Sequence, residues 1–254
     1  MKKLLIASLI LLLFCLINKA TTAQVSVKDS VFSFSLAGVT GGYSQPAGDL
    51  ANRFGENFSI GCNFFRKLKS NWLLGLQGDF LFGNQVKEND FISQLATSQG
   101  QLISIDGKYS TVILYERGWQ AQFRAGRIIP IIGPNKNSGL LFLAGVGFLQ
   151  HKIRIESQGD DVPYLQGNYI KGYDRLTNGT SVSLFAGYIN FGNRRRINFF
   201  GGIESTVGFT KCRRDFNFDT RTKDDKSRKD IFIGLRAGWI IPLYKKIPNT
   251  FYYN

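Results

Sequence analysis

Histidine, methionine and cysteine are the scarcest side chains of this chain. Its 254 residues include one His, one Met, three Cys and six Pro. His151 is the single histidine, and Cys62 and Cys212 are the cysteines that follow residue 23. These residues are too few and too far apart to provide ligand spacing for a metal or a disulfide framework. We therefore predict a protein without a metal site, a cofactor or structural disulfides.

Long apolar runs are also absent after residue 17. The run over residues 4–17 follows Lys2 and Lys3 and precedes the small residues Thr21, Thr22 and Ala23. This order is typical of a secretory signal peptide, which we assign to residues 1–23, with the mature domain at residues 24–254. A membrane anchor is the alternative, but the run is shorter than the ~20 residues of a spanning helix. Because no later stretch reaches 18 apolar residues, the sequence excludes a helical membrane protein.

Acidic residues are outnumbered by basic ones, 18 to 32, which gives a formal net charge of +14. This balance favours an anionic partner. An exported chain rarely meets nucleic acid, so we predict no nucleic-acid partner. An anionic membrane surface or an envelope polymer fits the charge better.

What the sequence contains instead is a regular alternation of side chains, clearest over residues 230–244. Large apolar residues share one parity, and Arg236 lies on the other between Gly234 and Gly238. A period of two indicates a β-strand. The apolar face is wide and ends in aromatic residues, which favours contact with lipid, with Arg236 turned into a lumen. We interpret this strand as the last strand of a transmembrane β-barrel.

Seven earlier runs alternate in the same way, at residues 30–41, 58–65, 72–83, 109–131, 139–155, 180–191 and 197–210. The connections between the eight runs are alternately long and short. Long loops outside and short turns in the periplasm are the pattern of outer-membrane barrels. The sequence therefore predicts an all-β fold, an eight-stranded antiparallel up-and-down transmembrane β-barrel in the outer membrane. The phase of the run at 139–155 stays open, because residues 140–148 are apolar on both parities.

An eight-stranded barrel has a lumen that side chains can fill. An isolated buried charge is costly, so we predict that the inward charges form ion pairs and hydrogen bonds that plug the lumen. Aromatic residues near the strand ends fit interfacial girdles, although soluble-core aromatics are the alternative. The predicted interior charges are Asp79, Glu116, Arg124, Glu204 and Arg236. The predicted girdle residues are Trp72, Trp119, Trp239, Tyr115, Tyr188 and Tyr244.

Basic residues are concentrated in the segments assigned to the periplasmic side. They occur at residues 66–69, 194–196 and 245–246. Contact with anionic lipid headgroups is one interpretation of these segments. Simple solvation of the turns is the other.

Two segments carry a family resemblance: Ser44-Gln45-Pro46-Ala47-Gly48-Asp49-Leu50 and Gly238-Trp239-Ile240-Ile241-Pro242-Leu243-Tyr244. With them the mature chain resembles the small outer-membrane β-barrel family of Gram-negative envelopes. That family includes PorT-like accessory proteins of the type IX secretion apparatus. The resemblance implies a monomeric eight-stranded barrel that acts in envelope structure, adhesion or secretion, and it implies no catalytic residues.

We predict a non-enzymatic barrel that acts in envelope structure or as an accessory subunit of an outer-membrane complex. Its expected partners are outer-membrane lipids, lipopolysaccharide and proteins of that complex. The segment at residues 211–229 holds eight basic and four acidic residues and is the expected partner surface. Its basic candidates are Lys211, Arg213, Arg214, Arg221, Lys223 and Lys226.

Three alternatives stay open at this stage. The first is a lipid-modifying hydrolase or acyltransferase that uses His151, with Glu156 and Ser157 as possible partners. The strand pattern places this histidine at the lipid interface. The second alternative is a small pore, which the charged interior disfavours. The third is a weak cation site at the acidic pairs 160–161 and 224–225.

Overall fold

The fold is described from a computed structural model, which covers residues 30–88, 95–99, 101–158, 162–193 and 197–243. Among these residues no helix is long and apolar enough to cross a membrane. The predicted signal peptide, the basic residues 194–196, Asp160, Asp161 and residues 244–254 lie outside the described ranges. The strands are β1 (Phe34–Gly48), β2 (Asn57–Lys67), β3 (Trp72–Gly83), β4 (Leu102–Ile103), β5 (Tyr109–Ile129), β6 (Gly139–Gln158), β7 (Thr177–Phe191), β8 (Asn198–Cys212) and β9 (Ser227–Leu243). Short 3₁₀ helices occupy Asp49–Asn52, Pro163–Leu165 and Tyr169–Gly172.

Eight of these strands form a closed antiparallel barrel. Each of the eight strands pairs with the next one along the chain, so β3 pairs directly with β5. The two-residue strand β4 is not part of the barrel and pairs with the beginning of β5. The barrel closes where β1 pairs with β9, from Ser35 opposite Leu243 to Gly48 opposite Asp230. The predicted eight-stranded fold is confirmed. Closure satisfies the backbone hydrogen bonds of every strand, as a hydrocarbon environment requires.

The connections alternate between the two ends of the barrel. We call those at one end loop 1 (β1 to β2), loop 2 (β3 to β5), loop 3 (β6 to β7) and loop 4 (β8 to β9), and those at the other end turns. Loop 1, at residues 49–56, is no longer than the turn at residues 130–138, because β1 extends to Gly48. The strand ends differ from the predicted ones, most of all in β1, which begins four residues later and runs on to Gly48. The proline and glycines of residues 42–48 are compatible with a strand there because β9 pairs with them.

The outer wall carries a continuous apolar belt. Leu76 is 62% exposed, Ile203 60% and Leu235 63%, although all three lie in the middle of paired strands. Such a belt has no favourable contact with water, and it matches the outward band of a transmembrane barrel. Trp72, Trp119 and Trp239 are also exposed on this wall. Cys62 is exposed and Cys212 is buried, and both are free thiols.

The interior changes character along the barrel axis. At the turn end it is apolar, with Phe34, Leu36 and Phe191 buried to 1% or less. Lys67 is also fully buried there, and its ammonium group donates to Asn137 Oδ1 at 2.8 Å. Contact of this lysine with lipid headgroups was therefore a wrong interpretation, because β2 turns its side chain into the lumen. The other buried charged side chains of the barrel lie above this layer, toward the loops.

Candidate functional site: the filled lumen and the loop cap

Four charged side chains meet in the middle of the lumen. Arg236 Nη1 lies 2.8 Å from Asp79 Oδ1, and Arg236 Nε lies 2.5 Å from Glu204 Oε2. Glu204 also forms an ion pair with Arg124. Because these strands alternate, β3, β5, β8 and β9 each contribute one of these inward positions. Two positive and two negative groups balance, which removes the cost of an unpaired buried charge.

Neutral polar groups add further hydrogen bonds to this cluster. Asp79 accepts hydrogen bonds from Gln77, Gln120 and Thr40. On the other side of the lumen, Gln122 Oε1 accepts from the Arg124 guanidinium and from Ser183. A buried ion pair is tolerated only when its remaining lone pairs and protons are satisfied, and these amides do so for Asp79.

A glycine makes room for one of the two arginines. A Cβ atom at Gly145 would lie 3.0 Å from Cγ of Arg124 and 2.5 Å from the Ser183 hydroxyl. Arg124 needs this space because it is among the largest fully buried side chains of the described residues. A cavity of about 20 Å³ remains beside Gln120, Glu204 and Arg236. It has room for about one water molecule. The cluster therefore plugs the lumen at mid-height.

A second buried cluster lies nearer the loops and contains the single histidine. His151 Nε2 lies 2.9 Å from Asp230 Oδ2, and both side chains are fully buried. The Thr210 hydroxyl donates to the same carboxylate oxygen, and Phe54 of loop 1 packs edge-on against the imidazole at 5.5 Å. The predicted lipid-interface position of His151 was wrong. Pairing with Gly118 of β5 sets the register of β6 and turns the odd-numbered residues inward.

Glu116 belongs to this upper region rather than to the central cluster. Its carboxylate is fully buried and accepts a hydrogen bond from Asn57 Nδ2 at 3.3 Å. Its strand, β5, also supplies Arg124 eight residues later, so the two side chains lie about 25 Å apart along the strand. The five interior charges singled out from the sequence thus divide into a group of four and a separate glutamate.

Arg53 connects three loops at the mouth of the barrel. This loop 1 side chain is 5% exposed, and its Nε lies 2.8 Å from Glu88 of loop 2. Its other nitrogens donate to the Thr177 hydroxyl and to the carbonyl of Arg175 in loop 3. Glu88 also forms an ion pair with Arg175, at 3.0 Å, and Arg175 forms another with Asp219 of loop 4. One chain of charges therefore joins all four loops.

The loops also share an apolar core. Leu50 and Phe54 of loop 1 are fully buried, and so is Val162 of loop 3. They pack in one cluster with Leu102 of β4 and with inward residues of β6 and β9. Ion pairs and this core together fold the loops into one body, which we call the loop cap.

The basic candidates of residues 211–229 have different surroundings. Arg214 pairs with Asp174 of loop 3, and the hydrogen bond to this carboxylate raises the pKa of Arg214. Lys223 and Asp225 lie 3.4 Å apart, and both are exposed. Arg221 and Lys226 are exposed on loop 4. Lys211 is exposed on the outer wall near the end of β8, and Arg213 is exposed directly after that strand.

Both residues of the acidic pair at 224–225 form ion pairs with basic neighbours. Asp224 pairs with Arg228 at 2.5 Å. Although its partial burial alone would raise the pKa of Asp224, the hydrogen bond from Arg228 lowers that pKa below its usual range. Within the described ranges, no group of three or more His, Cys, Asp or Glu side chains is placed to hold a metal ion.

The residues proposed for a hydrolase do not come together. Glu156 lies on the outer wall and pairs with Arg154 at 2.5 Å, whereas His151 is sealed inside the barrel. No substrate atom can reach the imidazole while loop 1 covers it. No pattern in the sequence indicates the roles of Arg53, Glu88, Arg175 or Asp219, since contacts between loops have no periodicity. Asp230 shares the inward parity of Arg236, and this parity could have identified it.

A closed barrel with an apolar belt, a charged plug and a loop cap defines an outer-membrane β-barrel protein. No protein-family model and no curated protein matches the chain. The PorT-like resemblance therefore stays a prediction.

Solved structures align with most of the chain at low identity. Neisserial surface protein A is 10% identical, with 82% of this chain and 96% of that chain covered and a TM-score of 0.39. Ail, the attachment invasion locus protein of Yersinia pestis, is 13% identical, with 82% and 99% covered and a TM-score of 0.32. Ail in complex with the heparin analogue sucrose octasulfate is 14% identical, with 82% of this chain and 99% of that chain covered and a TM-score of 0.31. At these values the likeness carries no argument about function.

Proposed function

We propose that this protein is a non-enzymatic, non-conducting barrel that binds partners in the envelope through its loop cap. The partners would be proteins of an outer-membrane complex for secretion or assembly. More specifically, we propose that the protein is an accessory subunit of the type IX secretion apparatus. The main support is the chain of ion pairs from Arg53 through Glu88 and Arg175 to Asp219, which holds the four loops together. A preformed surface loses little conformational entropy on binding, which favours recognition.

The surface for binding lies on loop 4 where it packs on loop 3. Phe216 and Phe218 are 45% and 40% exposed, and the Phe218 ring packs against Tyr169 and Tyr173. The backbone N–H of Phe218 donates to Gly172, so this aromatic group is held in place. Exposed aromatic residues beside exposed cations are the composition of binding surfaces rather than of solvated loops. We call Phe216, Phe218, Arg221, Lys223 and Lys226 the loop 4 surface.

The interior supports the non-conducting and non-enzymatic parts of the proposal. The Arg236, Asp79, Glu204 and Arg124 side chains occupy the middle of the lumen, and the cavity beside Glu204 and Arg236 has room for about one water molecule. The single histidine is buried under loop 1 and bonded to Asp230. Neither arrangement offers a path for solute or a place for substrate.

Photo-crosslinking in intact cells tests the binding role. A photoreactive amino acid at Phe216 is expected to give a discrete crosslinked species, and the same group at exposed Gln99 of loop 2 is the control site. Adding Lys223→Glu and Lys226→Glu should reduce the yield at Phe216 severalfold. The matched charge reversals Lys69→Glu and Lys136→Glu, in turns at the opposite end, should leave the yield unchanged.

Heat-modifiable migration on gels would establish that each variant is folded. A folded protein that gives no crosslinked species at Phe216 would contradict the proposed cap function. An equal loss of yield from both pairs of reversals would also contradict it, because the effect would then follow net charge rather than position.

A further inference from the structure

Basic side chains occupy loop-end positions on the outer wall of four strands. On β5, Arg117 is the next outward residue after Trp119, and on β8, Lys211 is the next after Phe209. On β6, Lys152 follows Phe148 with one outward residue between them, and on β9, Lys229 precedes Ile231. The apolar belt thus gives way to cations at the loop end of the wall. In a membrane this is the level of the outer-leaflet headgroups.

Two of these cations face each other directly. Arg117 and Lys152 are cross-strand partners in the β5–β6 pairing, and Arg154 is the next outward residue on β6. Like charges directly opposite on neighbouring strands are destabilising unless an anion lies between them. Within the described residues, the Lys152 ammonium has no hydrogen-bond or ion-pair partner. In the part of the chain that the structure describes, Arg154 pairs with Glu156, and these side chains are 55% and 40% exposed.

The Arg117 guanidinium is fixed in orientation. It lies 4.6 Å from the centre of the Tyr115 ring, and its Nη1 donates to the carbonyls of Glu116 and Gly83. These contacts leave Nε and Nη2 without a partner among the described residues. An arginine held in this way presents its donors with little further loss of entropy.

A second group of cations lies at the loop end of β8 and directly after it. Arg213 Nε donates to Asn178 Oδ1 of β7 at 2.6 Å, and Lys211 is the cross-strand partner of Asn178. Asn178 in turn faces Gln150 of β6, below Lys152. Strands in a sheet are about 4.8 Å apart, so the β8 cations lie about 10 Å from those of β6.

The cations are confined to one side of the barrel. The loop-end positions of β1 (43–48), β2 (57–61) and β3 (79–83) contain no lysine or arginine. Glu56 and Asp49 lie at that rim instead, and Glu56 accepts a hydrogen bond from Tyr43. A uniform requirement for charged residues at the membrane boundary would not produce this asymmetry.

We propose that Arg117, Lys152, Arg154, Lys211 and Arg213 bind the phosphate groups of a phosphorylated glycolipid of the outer leaflet. The exposed Trp119 and Phe209 directly below the cations would contact its acyl chains. Two cation groups about 10 Å apart suit a lipid with more than one phosphate. A soluble anion would not use the apolar wall, so the lipid is the source of the phosphate. This site is separate from the loop 4 surface and does not depend on the cap having a partner.

Native mass spectrometry of the detergent-purified protein tests the site. The probes are diphosphoryl lipid A, monophosphoryl lipid A and phosphatidylcholine. Wild type is expected to retain the diphosphoryl form best and phosphatidylcholine least. The variant Arg117→Gln, Lys152→Gln, Arg154→Gln should bind diphosphoryl lipid A about a hundredfold more weakly, since each cation near an anionic surface contributes about fivefold.

The control variant removes three cations at the opposite end: Arg127→Gln on the same strand β5, with Lys69→Gln and Lys136→Gln in the turns. It should bind diphosphoryl lipid A like wild type. The proposal is overturned by equal weakening in both variants, or by a wild type that does not distinguish the three lipids. Competition by inorganic phosphate at the concentration of bound lipid would also overturn it, because a soluble anion would then suffice. None of these results depends on whether crosslinking at Phe216 succeeds.

Discussion

The imidazole of His151 and the carboxylate of Asp230 face each other across the lumen, 2.9 Å apart and fully buried. They belong to β6 and β9, which do not pair with each other, so the contact spans the barrel. Loop 1 covers it through Phe54, and Thr210 donates to the same carboxylate oxygen. The contact therefore joins two walls of the barrel to the cap above them.

Replacing His151 by Ala should destabilise the upper barrel without changing the lipids of the cell. Asp230 would lose one of its two hydrogen-bond partners, at a cost of about 1–3 kcal/mol. The melting transition of the purified protein and the lipid A and phospholipid profile of the cells would be measured together. An altered lipid profile would restore the enzymatic alternative. Ser157→Ala is the control, and it should change neither quantity.

Replacing Arg236 by Leu should lower the temperature at which the folded barrel loses its gel mobility. The substitution leaves Asp79 and Glu204 short of their shared cation, and breaking a buried ion pair costs about 3–5 kcal/mol. Arg127→Leu, on the outer wall at the turn end, removes the same charge from an exposed position and should have little effect. An unchanged transition in the Arg236 variant would mean that the central charges do not hold the barrel together.

The wild-type barrel should give no large steady current in planar bilayers. Truncating Arg124 and Glu204 together to Ala removes two large side chains from the plug and leaves Arg236 paired with Asp79. This variant should show measurable conductance if it inserts as a folded barrel. Large steady currents through the wild type would refute the plugged lumen.

Replacing Arg53 by Ala should loosen the cap and leave the barrel intact. Its partners Glu88 and Thr177 would lose a buried donor, and the loop ties would weaken. We expect faster amide exchange in loops 2 and 3, with an unchanged melting transition of the strands. Arg221→Ala, on the exposed part of loop 4, is the control. Equal exchange in the two variants would show that the loops fold independently of Arg53.

The strands and their number followed from alternation, because lipid and lumen impose opposite demands on neighbouring residues. Leu235 and Arg236 illustrate this, one exposed on the wall and the other buried in the plug. The outward face is the better predicted one, since lipid accepts only apolar side chains along the whole span.

The inward face was less predictable because the lumen is not uniform. It accepts Phe34 and Leu36 at the turn end, charges in the middle and both kinds near the cap. Hydropathy therefore could not fix the phase of β6, and His151 was assigned to the wrong face. The cap was not predictable at all, since Arg53 and Glu88 are 35 residues apart in segments without periodicity.

The pairing of β1 with β9 has a consequence for how the protein is made. The first segment to be synthesised finds its partner only when nearly the whole polypeptide has been delivered, because Ser35 lies opposite Leu243. Contacts so distant in sequence form slowly. Until then two unpaired strand edges and an apolar surface are exposed, so the chain is prone to aggregate before the barrel closes.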